Sequence, residues 1–141
     1  MIILLRHCES TANKYGDNSY DVPLTKEGIK QAKGLSGYYD LVIVSPLKRA
    51  LETLYNSKIK YGELLISPLC RENMSYRCSL MKGEKYFETK SDLDKRIFLF
   101  KQLLINLSHI YDKILVISHT EFMGKMTGKY LDNGKKMVYI K

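Results

Sequence analysis

Arg6-His7 closes a short apolar run near the start of the chain, and Ser118-His119 closes another. Between them, Ser45-Pro46-Leu47-Lys48-Arg49 follows a further run, and Arg71-Glu72 lie a few residues past a third. Imidazoles, guanidinium groups and a carboxyl group together suit phosphoryl transfer. Guanidinium groups grip phosphate oxygens through paired hydrogen bonds, and transfer needs charge stabilisation more than elaborate covalent chemistry. An imidazole can attack phosphorus and carry the group as phosphohistidine. A carboxylic acid can protonate the departing oxygen, then take a proton from the incoming water. Arginines beside the imidazole lower its pKa and keep the attacking nitrogen free of a proton. Singly, each residue has a plain structural reading: a packed histidine, a surface-capping arginine, a solvated glutamate. Only their combination points to one chemistry.

These residues must be brought together by the elements that carry them. The apolar runs Met1–Leu5, Leu41–Val44, Leu64–Ile66 and Ile114–Ile117 are rich in Ile, Leu and Val and do not alternate with polar residues. That pattern predicts strands covered on both faces, as in a parallel sheet. Met137–Ile140 is expected to add an edge strand. Helical segments lie between the runs. Thr25 is the expected N-cap of a helix reaching about Leu35 and stopped by Ser36-Gly37. Ser45 and Pro46 read as N-cap and first helical residue of a helix to about Ser57. Ser91 and Asp94 resemble a capping box. Behind it Leu93, Ile97, Phe100, Leu104 and Leu107 form a core-facing stripe. A last helix is expected over Glu121 to Leu131, ending near Asn133-Gly134. Alternation of strands and helices predicts a three-layer α/β/α fold, its central sheet mainly parallel. In such sheets ligands bind outside the carboxyl ends of the strands. The strand ends then share one edge, where Arg6, His7, Arg49, Glu72 and His119 can meet.

The bulk numbers agree with that reading. A chain of 141 residues is expected to form one domain, residues 1–141, with 70–90 as a minimal cap loop. A chain this long buries about 68–70% of the surface it exposes when unfolded. Lys and Arg outnumber Asp and Glu by 23 to 15, a net charge of +8, which favours an anionic phosphorylated partner, small molecule or phosphoprotein. The lysines are scattered, without a nucleic-acid motif, so no specific nucleic acid is expected. Three cysteines without a C-x-x-C pair suit a reduced, cytoplasmic protein. No apolar run approaches the ~20 residues of a membrane span. Oligomeric state is not legible in the sequence.

The segments also resemble the histidine phosphatase superfamily, or phosphoglycerate mutase-like family. "LLRHCESTAN" is similar to its Arg-His-Gly element, followed by Glu, Ser or Thr and then Asn, here Asn13. "DVPLTKEGIKQA" matches its Asp-x-Pro-Leu-Thr, Gly and Gln-Ala pattern at Asp21, Pro23, Leu24, Thr25, Gly28, Gln31 and Ala32. "SPLKRALET" matches at Ser45, Pro46, Arg49, Ala50, Glu52 and Thr53. "VISHTEF" resembles its Val-Ser-His-Gly element, and "SDLDKRIFLF" its Glu-Ser…Arg…Phe helix. The resemblance implies a phosphoric monoester hydrolase with His7 as nucleophile. Arg6, Arg49 and His119 would complete the phosphate pocket, and Ser10 and Asn13 would add hydrogen bonds. Glu72 would be the proton donor, with Glu9 and Glu121 as competing carboxylates. It implies no metal and no organic cofactor.

Two departures bear on turnover. Cys8 and Thr120 stand where the family usually has glycine, adding bulk near the phosphate. Cys8, next to Arg6, could also carry a low-pKa thiol, with a buried inert thiol as the plainer reading. The short cap favours a phosphatase over a mutase, which must keep water from its phosphohistidine. A phosphate-binding module with weak catalysis is the other alternative. "HCE" gives the H-x-E of zinc deaminases, but their P-C-x-x-C partner is absent.

Overall fold

A computed structural model describes residues 1–141. Its centre is a five-stranded sheet with strand order β3-β2-β4-β1-β5. The strands are β1 (Ile2–Arg6), β2 (Ser36–Val44), β3 (Lys58–Ile66), β4 (Ile114–Ser118) and β5 (Lys136–Ile140). All neighbours pair in parallel except β5, which runs antiparallel along β1. Five α-helices connect them: α1 (Thr11–Tyr15), α2 (Lys26–Lys33), α3 (Lys48–Tyr55), α4 (Lys90–Ser108) and α5 (Thr120–Thr127). None of the helices is long and apolar enough to cross a membrane.

Alternate residues of the central strands face opposite sides of the sheet. Ile2, Leu4, Leu41, Ile43, Ile114 and Val116 pack with Leu93, Ile97, Phe100 and Leu104 of α4 and Phe122, Met123 and Met126 of α5. Leu5, Val42, Val44, Leu115 and Ile117 pack with Ala50 and Leu54 of α3 on the other side. Apolar side chains on both faces explain why these strands read as unbroken apolar runs. The fold is therefore three-layered α/β/α, as the sequence predicts.

Several boundaries differ from expectation, each for a physical reason. β2 begins at Ser36, so Ser36-Gly37 starts a strand instead of merely stopping a helix; α2 is already capped by Gly34. β3 lies at the sheet edge and is largely exposed, so its first half carries no apolar run, and it is not covered on both faces. α3 starts at Lys48 with Leu47 at the N-cap and ends at Tyr55. Its free N-terminal amide is taken by Asp21 Oδ1, which accepts from Lys48 N at 2.8 Å, so Ser45 is released from capping. Asp21 reaches this position with φ of 44°. α4 is capped by Thr89, which accepts from Asp92 N, so the Ser91–Asp94 box is not formed. α5 stops at Gly128, in the left-handed region, short of Leu131.

Gly28, in the first turn of α2, shows how closely this helix approaches the loop that follows β1. A Cβ at this position would fall on the carbonyl oxygen of Glu9, well inside contact distance. Gly28→Ala is therefore expected to cost at least ~1–3 kcal/mol through overpacking. Urea unfolding of the variant checks this; an unchanged midpoint would refute the close approach.

Candidate active site

Past β1 the chain leaves regular structure while still buried, so its backbone groups need other partners. His7 N donates to Ser118 O of β4 at 3.0 Å. Cys8 N donates to Thr53 Oγ1 at 3.0 Å, and Glu9 N to Gln31 Oε1 at 3.0 Å. The His7 carbonyl accepts from Asn133 Nδ2 at 3.1 Å and from Gly134 N at 3.2 Å. The bond from Cys8 ties this loop to α3, within which Thr53 Oγ1 donates to Arg49 O at 2.7 Å. Residues of α2, α3 and the turn before β5 thus hold one loop in place.

His7 is buried, and its Nδ1 lies 2.7 Å from Cys8 O. A carbonyl can only accept, so Nδ1 carries the proton and Nε2 keeps its lone pair. Burial, then the charge of Arg49, push the His7 pKa well down; Arg6 adds to this. The ring of His119 stands 5.0 Å from that of His7, centroid to centroid. Its Nε2 is 2.8 Å from Ser45 Oγ, and its Nδ1 has no protein partner. Ser45 Oγ accepts from Leu47 N, leaving its own proton free to point at Nε2. Burial and Arg49 hold His119 well below the usual imidazole range as well.

A cavity of about 140 Å³ opens over these groups. Arg6, His7, Ser10, Asn13, Arg49 and Glu72 line it, so the structure brings all of these sequence-predicted residues to one place. His119 lies behind His7 and does not reach the wall. Ser10 spends its hydroxyl on Asn13 in the capping box of α1. Asn13 Oδ1 accepts from Ser10 and from Asn133, which leaves its Nδ2 amide uncommitted. Arg49 is buried and donates to Cys78 O at 2.8 Å and Ser79 Oγ at 3.2 Å, so it also tethers the 70–90 segment. Arg71 pairs with Glu84 at 2.7 Å and does not line the cavity.

Glu72 is buried, not solvated. Its Oε1 accepts from Phe122 N at 2.8 Å and Asn73 N at 3.0 Å, and its Oε2 from Glu121 N at 3.2 Å. Burial raises its pKa, against the pull of these amides and of Arg49. Arg96 fixes the backbone beneath it. Three of its N–H groups donate to the carbonyls of Leu69, Arg71 and Glu72, and two to the carboxylate of Glu88. All five guanidinium donors are used, and the group rests on the Phe122 ring at 4.8 Å. Neither Arg96 nor Glu88 is an expected site residue; the only sequence signal is the Glu-Ser…Arg…Phe pattern.

The competing carboxylates separate. Glu9 accepts from Thr25 Oγ1 at 2.7 Å and stays outside the cavity, whereas Glu121 lines it.

The family profile of the histidine phosphatase superfamily (branch 1) matches residues 2–74, just over half of the chain. The chain belongs to this superfamily. Solved structures agree in fold. An α-ribazole phosphatase from Shigella flexneri is 22% identical with a TM-score of 0.69, covering 96% of this chain and 87% of that one. A phosphoserine phosphatase from Entamoeba histolytica, bound to 3-phosphoglyceric acid, is 21% identical with a TM-score of 0.58, covering 96% and 87%. A mycobacterial glucosyl-3-phosphoglycerate phosphatase bound to VO3 is 12% identical with a TM-score of 0.62, covering 96% and 88%. No curated protein matches the sequence.

The two departures from the histidine phosphatase pattern take different places. Neither Cys8 nor Thr120 has a positive φ, so replacing glycine strains neither backbone. Cys8 is fully buried against Leu24 and Ala32 and does not line the cavity. Burial raises its pKa, the direction of the inert thiol. Thr120 does line the cavity, its hydroxyl donating to Leu131 O at 3.3 Å.

Arg96→Ala would strand three carbonyls and the carboxylate of Glu88, which is 2% exposed. Breaking a buried pair in this way costs about 3–5 kcal/mol. Chemical denaturation is expected to show a loss of that order, larger than for the exposed Lys95→Ala; equal losses would overturn this account.

Proposed function

We propose that the protein is a phosphatase that hydrolyses phosphate monoesters through a phosphohistidine on His7. One observation carries this reading: Nδ1 of His7 is committed to Cys8 O, which leaves Nε2 as a lone pair in a cavity shared with two arginines. Nε2 attacks phosphorus, the P–N bond forms and the ester P–O bond breaks. Glu72, protonated in its buried setting, gives its proton to the departing alkoxide. Water then enters, Glu72 takes its proton, and attack on the phosphohistidine releases inorganic phosphate and free His7. Arg6 and Arg49 balance the charge on the equatorial oxygens. The uncommitted Asn13 Nδ2 supplies a further donor, while His119, which does not line the cavity, stands beside the His7 ring. Ser10 acts indirectly, by orienting Asn13. With two guanidinium groups and the imidazoles supplying the positive charge, the proposed chemistry needs no metal, and activity is expected to persist under strong chelation.

Membership of the superfamily and the names of the similar structures support a phosphatase: those proteins are described as acting on α-ribazole, serine and glucosylglycerate phosphates, and one holds VO3. A small cap that leaves the cavity open to water favours hydrolysis over mutase chemistry.

His7→Ala is expected to abolish turnover of p-nitrophenyl phosphate; full activity in that variant would remove His7 as the nucleophile, and no turnover by the wild type would leave only a binding module. Glu72→Gln should lose about 10²–10⁴-fold on an alkyl phosphate. It should lose far less on dinitrophenyl phosphate, whose leaving group departs without a proton. Equal losses of kcat/KM on both would remove Glu72 from protonation of the leaving group.

The same groups set the pH dependence. His7 must be neutral, and its depressed pKa places the acid limb of kcat/KM below the ordinary imidazole value of ~6.5. Glu72 must be protonated, and its raised pKa places the basic limb above the ordinary carboxylate value of ~4.3. Activity should therefore rise through the first limb and fall through the second as pH increases. Loss of the basic limb in Glu72→Gln is the expected result; its persistence would assign that limb elsewhere.

A further inference from the structure

Glu121 is not used in the mechanism above, yet its side chain lines the catalytic cavity. Depth within that cavity follows burial: His7, Arg49 and Glu72 are buried, while Tyr76 is exposed and Glu121 half-buried. Phosphate chemistry sits at the floor, and the departing alcohol must lie toward Tyr76, Cys78 and Glu121. The Glu121 carboxylate has one protein partner, Asn73 Nδ2, at a long 3.4 Å, and no cation pairs with it. An unpaired carboxylate beside an anion-binding site, in a chain of net charge +8, calls for a complementary charge.

The cations around it make the same point. Arg6 and Arg49 are the only basic residues besides His7 on the cavity wall, and both serve the phosphate. Arg71, Arg77, Lys82, Lys85 and Lys90, the basic residues of the 70–90 segment, do not line it; Arg71 pairs with Glu84, and Arg77 lies over Tyr20 at 5.6 Å. Nothing is left to receive a second anionic group, and Glu121 would repel one. The cavity itself measures about 140 Å³. A phosphoryl group leaves space for a short leaving group within reach of the mouth.

Resting on the phosphatase reading, we propose that Glu121 selects monoesters whose alcohol carries an ammonium group, such as short amino-alcohol phosphates. It discriminates against alcohols that carry a carboxylate or a second phosphate. Attraction in one case and like-charge repulsion in the other both enter the difference.

Three esters of similar size test it: phosphoethanolamine, ethylene glycol monophosphate and phosphoglycolate. In the wild type, kcat/KM should fall in that order, with phosphoethanolamine ahead of phosphoglycolate by roughly tenfold or more. Glu121→Gln should bring the three to within about twofold of one another, and Glu121→Arg should favour phosphoglycolate. A wild type that prefers phosphoglycolate, or shows no preference, overturns the proposal. So does Glu121→Gln if it lowers all three in proportion, a result that makes Glu121 the proton donor instead. If wild type hydrolyses none of these and not p-nitrophenyl phosphate either, the phosphatase reading falls and takes this inference with it.

Discussion

A neutral imidazole has one proton to give, and in His7 it is given to the carbonyl of Cys8. That bond decides which nitrogen can act and where it points. It exists only because the Cys8 carbonyl is held still in a buried loop with no helix or strand of its own. The surrounding elements are arranged accordingly. Thr53 takes the Cys8 amide, Gln31 takes the Glu9 amide, and Asn133 and Gly134 take the His7 carbonyl. Side chains from distant parts of the chain thus do for this loop what a ladder or helix does elsewhere.

Electrostatics follows from the same enclosure. Burial disfavours charge on either imidazole, and the arginines disfavour it further, so both rings stay neutral beside fixed cations. Glu72 meets the opposite balance. It is desolvated enough to hold a proton more readily than usual, yet it also accepts from the first amides of α5. One carboxyl group therefore joins the helix that follows His119 to the cavity that holds His7. Arg96 and Glu88 keep its backbone in register without entering the cavity themselves.

The parts of this arrangement legible in the sequence are those buried on both sides. Leu4-Leu5, Ile43-Val44 and Ile117 announce central strands because neither face tolerates polar residues, and the residues next to them mark the sheet edge. The first half of β3 is exposed and mixed in composition, so only Leu64–Ile66 was visible. Caps were misplaced where a remote side chain did the work: Asp21, 27 positions upstream, caps α3, and Ser45 turns to His119. Helix α1 has only five residues, too few to show periodicity, although Ser10 and Asn13 carry its capping box. The residues that line the cavity stand out in the sequence through the strand ends and the family resemblance together. Arg96 does not, because its role is to bind main-chain carbonyls, and that leaves no pattern in side-chain spacing.

The turn between α5 and β5 grips the other end of the molecule. Leu131 O accepts from Arg6 NH1 across 125 positions, and Asn133 reaches His7 across 126. In chain order β2, β3 and α4 all come between β1 and its two sheet neighbours, β4 and β5, so β1 is synthesised well before either can pair with it. Until then the loop that carries His7 lacks the backing that orients it. Such long-range closure slows folding, and it delays the setting of the His7 ring until the turn before β5 has docked.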